Sequence, residues 1–177
     1  MKVAFIGKLQ SGKTTAVKYY EKLIISRCLP VTSIKFATPL YGSHDLFNLN
    51  NEFKNRSFLQ KLSDLAKECF GQDILSRVFT RNLSDLGDGG FRSFLCDDVR
   101  VSSDFNTAKS FKFYTVGIKS SDKNRKNRKP ETFTGTKHKT ETEIDKLIKK
   151  CDTVITNDGS LEEFEKKLLF IYKRIAY

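Results

Sequence analysis

The fold of this chain can be predicted from Gly7-Lys8-Leu9-Gln10-Ser11-Gly12-Lys13-Thr14-Thr15. This run matches G-x-x-x-x-G-K-S/T, the pattern of a loop that binds the phosphate groups of a nucleotide. The pattern is meaningful only between a strand and a helix. Residues 2–6 form a short apolar run that predicts a buried strand, and a helical pattern runs from residue 13 to about residue 27. Both required neighbours are therefore present.

Each position of the loop has a chemical reason. Gly7 and Gly12 let the backbone bend, so that N–H groups can point into one hollow, and the helix that follows adds the positive end of its dipole. Lys13 supplies a mobile charge for the β- and γ-phosphates, and Thr14 offers a hydroxyl to Mg²⁺. We therefore predict ATP and Mg²⁺ as cofactors. The predicted ATP contacts are Gly7, Lys8, Gln10, Ser11, Gly12, Lys13, Thr14 and Thr15.

Composition indicates one globular domain that is strongly basic. The chain has 177 residues, 30% of them charged, and a formal net charge of +11. Such a charge fits a nucleic-acid binder, and it equally fits an enzyme that handles polyanionic nucleotides. Much of the excess lies in residues 119–139, which read either as a solvated loop or as a lid whose arginines close on transferring phosphates.

The remaining composition argues for a cytoplasmic location. No apolar run approaches the roughly 18 residues of a membrane span, and residues 2–6 lack the long apolar region of a signal peptide. The four cysteines lie far apart without the spacing of metal ligands, as expected for reduced thiols in a cytosol. We therefore expect no membrane association.

Hydrophobic periodicity predicts an α/β fold. Strands are predicted at 31–36, 91–96, 111–118 and 153–156, in addition to the first strand. Helices are predicted at 52–71, 72–86, 102–110, 140–150 and from about 160 to the end. Strands that alternate with helices in this way form a parallel sheet with helices on both faces. The prediction is a single domain built on a five-stranded parallel sheet.

A pair of aspartates follows the third predicted strand. Asp97 and Asp98 come directly after an apolar run, and a carboxylate at such a strand end can orient Mg²⁺ opposite a phosphate-binding loop. We predict that Asp98 has this role. The alternative is that one of the two aspartates caps the next helix.

These features occur in an order that resembles the P-loop nucleoside monophosphate kinases, most closely the bacteriophage deoxynucleoside monophosphate kinases. After the loop come Phe36-Ala37-x-Pro39-Leu40 and Leu59-Gln60-Lys61-Leu62 with Gly71-Gln72-Asp73 downstream. Asp98-Val99-Arg100 follows, and then His138-x-x-Glu141 and Asp152-x-Val154-Ile155-x-Asn157-Asp158-Gly159-Ser160-Leu161-Glu162. One departure is Val101-Ser102-Ser103-Asp104, where the family often carries phenylalanine, proline and an acidic residue.

The resemblance implies an enzyme that moves the γ-phosphoryl group of ATP to a deoxynucleoside monophosphate, with a helical acceptor-binding region at about 37–90. The implied acceptor contacts are Phe36, Ala37, Pro39, Leu40, Arg56 and Arg77. Asp98 and Arg100 resemble the family's Asp-x-Arg pair, at the metal and the phosphates. Arg125 and Arg128 resemble lid arginines. The implied catalytic set is therefore Lys13, Asp98, Arg100, Arg125 and Arg128, and the implied metal ligands are Thr14 and Asp98.

Two other readings stay open. The acceptor can be a modified base in a nucleotide or in DNA, or a non-nucleotide phosphate; DNA is not favoured as a partner. The chain can also be a DNA-binding ATPase or a nucleotide switch, although Asn157-Asp158-Gly159 stands in place of the Asn-Lys-x-Asp motif that guanine-nucleotide switches carry. The sequence leaves open which base is accepted and whether the protein is a homodimer.

Overall fold

The computed structural model describes residues 1–47, 55–87, 91–128 and 139–176. The chain forms two compact units. One consists of Met1–Ser33 and Gly89–Tyr177, and the other is Ile34–Asp88. Within the described residues, no helix combines the length and apolar composition that a membrane span needs.

The first unit contains a five-stranded sheet in which all pairs are parallel. The strands are β1 Lys2–Ile6, β2 Val31–Ser33, β3 Ser93–Cys96, β4 Tyr114–Lys119 and β5 Thr153–Thr156. Their order in the sheet is β2-β3-β1-β4-β5. Because β1 lies in the centre and the chain moves away from it in both directions, its carboxyl end is a switch point of the topology. Ligands of open α/β sheets bind at such points.

Helices cover both faces of this sheet. In chain order the described helices are α1 Lys13–Ile25, α2 Thr38–Phe47, α3 Arg56–Phe70, α4 Ile74–Asp85, α5 Ser102–Ser110, α6 Asp122–Arg128, α7 Lys139–Ile148 and α8 Leu161–Ile175. Helices α1 and α8 contact each other, as do α5 and α7. Val3 and Phe5 of β1 belong to a buried cluster with Tyr20 of α1 and Leu168 of α8. Side chains of a strand alternate between its faces, so the buried Ala4 and Ile6 face the opposite side.

The second unit is helical and consists of α2, α3 and α4, each of which contacts the other two. Phe36, just before α2, is buried and stacks on Phe79 of α4 with ring centroids 3.9 Å apart. His44 of α2 is also buried, and its Nε2 accepts a hydrogen bond from the backbone N–H of Asn55 at the start of α3. The stack of Phe36 on Phe79 and the hydrogen bond from the Asn55 backbone to His44 thus hold the three helices together.

The predicted fold class is confirmed: the sheet has five parallel strands and helices flank it. Ser160 and Glu163 form a capping box at the start of α8, and Cys96 is buried in β3. Two helices, α2 and α6, were not predicted.

Candidate active site

The loop of residues 7–12 connects the end of β1 to the start of α1. It therefore lies at the carboxyl end of the central strand. Two residues of the loop have a positive φ, which is 105° at Gly12 and 62° at Gln10. Only the first of these is a glycine, so Gln10 holds a left-handed conformation that non-glycine residues rarely adopt.

Replacing Gly12 by alanine is expected to weaken nucleotide binding. A Cβ there would lie 2.4 Å from Nδ2 of Asn157 and 3.3 Å from the ring of Phe164, and the left-handed backbone adds a cost of about 1 kcal/mol or more. Calorimetric titration with ATP should show at least a tenfold weaker Kd, which is about 1.4 kcal/mol. Gly42 has open space around its Cβ position, so Gly42→Ala is the control; equal ATP affinity in both variants would contradict the expectation.

Lys13 holds the first carbonyls of the loop. Its Nζ donates to the backbone O of Gly7 at 2.6 Å and of Lys8 at 2.8 Å. The ammonium therefore lies within the loop, where it can exchange these two carbonyls for phosphate oxygens. The phosphate-binding role of Lys13 stays a prediction.

The predicted lid arginines hold the next two carbonyls. Nη1 of Arg125 donates to the O of Leu9 at 3.0 Å, and Nη1 of Arg128 donates to the O of Gln10 at 2.9 Å. Both arginines belong to α6, which begins three residues after β4. The structure thus brings both arginines against the loop of residues 7–12. The remainder of the predicted lid, at 129–138, lies outside the described residues.

Asn157 holds the fifth carbonyl, a role that sequence analysis missed. Its Nδ2 donates to the O of Ser11 at 2.9 Å, and both side chains are buried. Asn157 follows β5 directly, in the turn Asn157-Asp158-Gly159. The sequence indicated this turn as a motif but not its contact with the loop. Every backbone carbonyl from residue 7 to residue 11 therefore accepts a hydrogen bond from a side chain.

The carboxylate that contacts Thr14 is that of Asp97, one residue before the predicted Asp98. The Thr14 hydroxyl donates to Oδ2 of Asp97 at 2.8 Å. Asp98 accepts instead from the thiol of Cys96 at 3.3 Å. Burial, with a smaller contribution from the Asp98 charge, raises the pKa of the Cys96 thiol well above its usual value, so this thiol stays protonated and can donate.

The Thr14–Asp97 pair fits a Mg²⁺ ion by its chemistry. Mg²⁺ prefers oxygen ligands and is usually held by one or two protein oxygens, substrate phosphates and water. The described residues include no group of three or more histidine, cysteine, aspartate or glutamate side chains placed to hold a metal. The Thr14 hydroxyl and the Asp97 carboxylate, beside the loop of residues 7–12, are two oxygens of the kind that such a site uses.

Asp158 anchors the start of α6 to the turn after β5. Its Oδ1 accepts hydrogen bonds from Ser121 N at 2.7 Å, Asn124 Nδ2 at 3.0 Å and Ser120 Oγ at 3.1 Å. The bond from the Ser121 backbone and those from the neighbouring side chains lower the pKa of Asp158 to about 2. The helix that carries both arginines is thus fixed to the same turn that carries Asn157.

Replacing Asp158 by asparagine is expected to lower stability in a pH-dependent way. Because its pKa is lowered by folding, the ionised carboxylate stabilises the protein above the ordinary pKa of about 3.9, and this contribution is lost as the pH falls toward 2. The Tm deficit of Asp158→Asn should therefore be largest above pH 4 and shrink toward pH 2. Circular dichroism melts measure it, with exposed Asp64→Asn as control; a deficit that does not change with pH would contradict the expectation.

A polar cavity of about 180 Å³ adjoins the loop. Arg128 and Leu161 lie at its edge, and the Leu161 side chain is 60% exposed. Its full lining is Gln10, Gly12, Thr15, Arg128, Asn157, Gly159, Leu161 and Phe164. Lys8 does not line this cavity. Its Nζ forms an ion pair with Asp145 of α7 at 2.6 Å.

The predicted acceptor contacts are only partly brought together. Pro39 and Leu40 line an apolar cavity of about 250 Å³ within the helical unit, and Ala37 is half-buried beside them in the chain. Phe36 belongs to the core of that unit through its stack on Phe79. Its ring therefore packs and does not line the cavity.

The predicted phosphate-binding arginines differ in their surroundings. Arg77 forms an ion pair with Asp73 at 3.3 Å and donates to the backbone O of Phe70, so the structure gives it a role at the junction of α3 and α4. Arg100 is exposed just beyond β3. The side chain of Arg56 lies outside the part of the structure that is described.

Comparison with known proteins supports the fold. No protein-family model matches the chain, and no curated protein matches it. Among solved structures, the APS kinase CysC of Mycobacterium tuberculosis in complex with AMPPNP and APS has a TM-score of 0.60 at 14% identity, covering 97% of each chain. The shikimate kinase of Aquifex aeolicus vf5 has a TM-score of 0.53 at 17% identity, covering 99% of this chain and 98% of its own.

A second shikimate kinase, from Acinetobacter baumannii in complex with shikimate, has a TM-score of 0.53 at 12% identity and covers 99% of this chain and 94% of its own. These proteins span nearly the whole chain but share few residues with it. The likeness therefore shows that this chain has the fold of P-loop kinases, and it says nothing further about the acceptor.

Proposed function

We propose that this chain is a phosphotransferase that moves the γ-phosphoryl group of ATP to the 5′-phosphate of a deoxynucleoside monophosphate. The observation that carries the proposal is the arrangement around the loop of residues 7–12. There a lysine ammonium contacts carbonyls of the loop, and the hydroxyl of the next residue contacts a carboxylate, at the switch point of a parallel sheet. Two anionic reactants need this concentration of donors and positive charge, because phosphoryl transfer depends on alignment and charge neutralisation.

Each group has a role in this reaction. The loop N–H groups and the α1 dipole bind the phosphates, and Lys13 stabilises the charge on the transferring group. When bound beside Thr14 and Asp97, Mg²⁺ supplies further charge neutralisation. We infer that Arg128, which lines the 180 Å³ cavity, contacts the nucleotide, whose base would lie against Leu161. We expect no covalent intermediate on the enzyme.

The acceptor is assigned from the resemblance to the deoxynucleoside monophosphate kinases described above. Pro39 and Leu40 of the 250 Å³ cavity support it, since an apolar surface can receive the flat face of a base. We infer that Ala37 contributes to the same surface. A non-nucleotide phosphate is the alternative acceptor, and the assay described next distinguishes the two.

A coupled assay for ADP release tests the proposal. The protein is supplied with ATP and Mg²⁺ and offered dAMP, dCMP, dGMP, dTMP, their ribose counterparts and short duplex DNA, with the Lys13→Ala protein as a control for contaminating ATPases. We expect one or a few deoxynucleotides to stimulate turnover. Stimulation by DNA alone, with duplex binding that weakens steeply with salt, would replace the proposal by a DNA-directed activity. A flat response to every acceptor would refute the nucleotide assignment.

A further inference from the structure

Arg125 lies in a different environment from Arg128, although both belong to α6. Arg125 is 3% exposed, whereas Arg128 is exposed and lines the cavity beside the loop. We propose that Arg125 is a positioning residue, which fixes the phosphate-binding loop by holding the carbonyl of Leu9 and does not itself contact phosphate. The proposal rests on the proposed function only in requiring that residues 7–15 bind a nucleoside triphosphate.

The guanidinium of Arg125 is bound on two sides. Nη1 donates to the O of Leu9 at 3.0 Å, and Nη2 donates to Oδ1 of Asp122, one helical turn earlier, at 2.6 Å. The bond and the charge of Arg125 lower the pKa of the Asp122 carboxyl, so Asp122 stays ionised and keeps Arg125 in place. To reach a phosphate, the side chain would have to leave both partners and its buried position.

Holding a carbonyl also directs an amide. In a planar trans peptide the C=O and the following N–H point in opposite directions. The Arg125 bond to Leu9 therefore fixes the direction of the Gln10 N–H, and the Asn157 bond to Ser11 fixes that of the Gly12 N–H in the same way. The side chains outside the loop thus set the directions of backbone donors on its inner side.

Gln10 supplies a second observation that points to the same role. Its φ of 62° is unfavourable for a residue with a side chain, and such backbone conformations persist only where the surroundings enforce them. Arg125 holds the peptide before Gln10, and Arg128 holds the peptide after it. The two arginines therefore account for the conformation of the loop.

Three variants test this role. Arg125→Ala removes the bond to Leu9, Arg125→Lys retains one donor, and Lys123→Ala removes an exposed charge from the same helix. Titration calorimetry with ATP and Mg²⁺ should show about a tenfold or larger increase in Kd for Arg125→Ala, equivalent to about 1.4 kcal/mol, and a smaller increase for Arg125→Lys. Turnover at saturating ATP should stay within about threefold of wild type, because a positioning residue acts mainly on binding. Lys123→Ala should bind ATP like wild type.

Amide hydrogen exchange provides a readout that is independent of activity. In the ligand-free protein, amides of residues 7–15 should exchange faster in Arg125→Ala than in wild type or Lys123→Ala, since loss of the restraint opens the loop locally. If Arg125→Ala does not fold, Arg125→Lys carries the same comparison.

The outcomes separate the inference from the proposed function. Unchanged Kd and exchange in the Arg125 variants would overturn the positioning role, and so would unchanged Kd with turnover at saturating ATP at least tenfold lower, which would assign Arg125 to the transferring phosphate. If the wild-type protein does not bind ATP, the proposed function fails and the exchange comparison alone decides whether Arg125 restrains the loop.

Discussion

Replacing Lys13 by alanine is expected to lower phosphoryl transfer by about 10³-fold or more, equivalent to about 4 kcal/mol of transition-state stabilisation. The ammonium lies inside the loop, where it donates to Gly7 and Lys8. Charge that develops on the transferring group would be stabilised there by a group already in position. Steady-state kinetics of ADP release measure the loss.

The fold should survive this replacement. The replacement leaves the carbonyls of Gly7 and Lys8 without a side-chain donor. Lys8 is only half-buried, so water can occupy part of the space that the lysine leaves. Circular dichroism should therefore give a native spectrum. Lys18 is an exposed lysine of the same helix, so Lys18→Ala is the matched control and should keep wild-type turnover. Wild-type turnover in Lys13→Ala would exclude the mechanism.

Replacing Asp97 by asparagine is expected to lower turnover by about 10²-fold and to raise the Mg²⁺ concentration needed for half-maximal activity. Asp97 accepts the hydrogen bond of the Thr14 hydroxyl at 2.8 Å, and an amide keeps the shape of the side chain but removes the charge that favours the cation. A loss of this size is typical when one preorganised electrostatic group is removed. Initial rates measured across a Mg²⁺ titration test both effects.

Asp98→Asn is the matched comparison, because Asp98 is the next residue, is equally buried and accepts from Cys96. We expect it to affect stability more than Mg²⁺ dependence, since the change disturbs a buried hydrogen bond. A larger loss of Mg²⁺-dependent turnover in Asp98→Asn than in Asp97→Asn would return the metal role to Asp98, as the sequence alone had predicted.

The sheet could be predicted from sequence because its strands are apolar runs and because the motif of residues 7–15 occurs between a strand and a helix. Two helices could not be predicted. Helix α2 begins at Thr38, one residue before Pro39. The sequence around Pro39 was interpreted as part of an acceptor-binding motif and not as a helix, although proline is tolerated in the first turn of a helix. Residues 122–128 of α6 are all polar, so no hydrophobic period indicated a helix; its buried residue is Arg125.

Site residues could be predicted where a local sequence motif requires a particular residue type. They could not be predicted where the role depends on the direction of a side chain or on a contact between distant parts of the chain. Lys13 and Thr14 follow from the loop motif alone. The choice between Asp97 and Asp98 depends on which of two successive side chains faces the loop, because extended backbone alternates their directions. The bond from Asn157 to Ser11 spans 146 positions, and no local pattern encodes a contact at that separation.

Phosphorus NMR of the reaction mixture tests the central claim most directly, because it distinguishes transfer from hydrolysis. The protein is incubated with ATP, Mg²⁺ and the deoxynucleotide that gives the strongest stimulation. We predict that the deoxynucleoside diphosphate and ADP appear in equal amounts, with little inorganic phosphate. Inorganic phosphate as the main product, with the deoxynucleotide unchanged, would show that the protein hydrolyses ATP and would contradict the assignment as a nucleotide kinase.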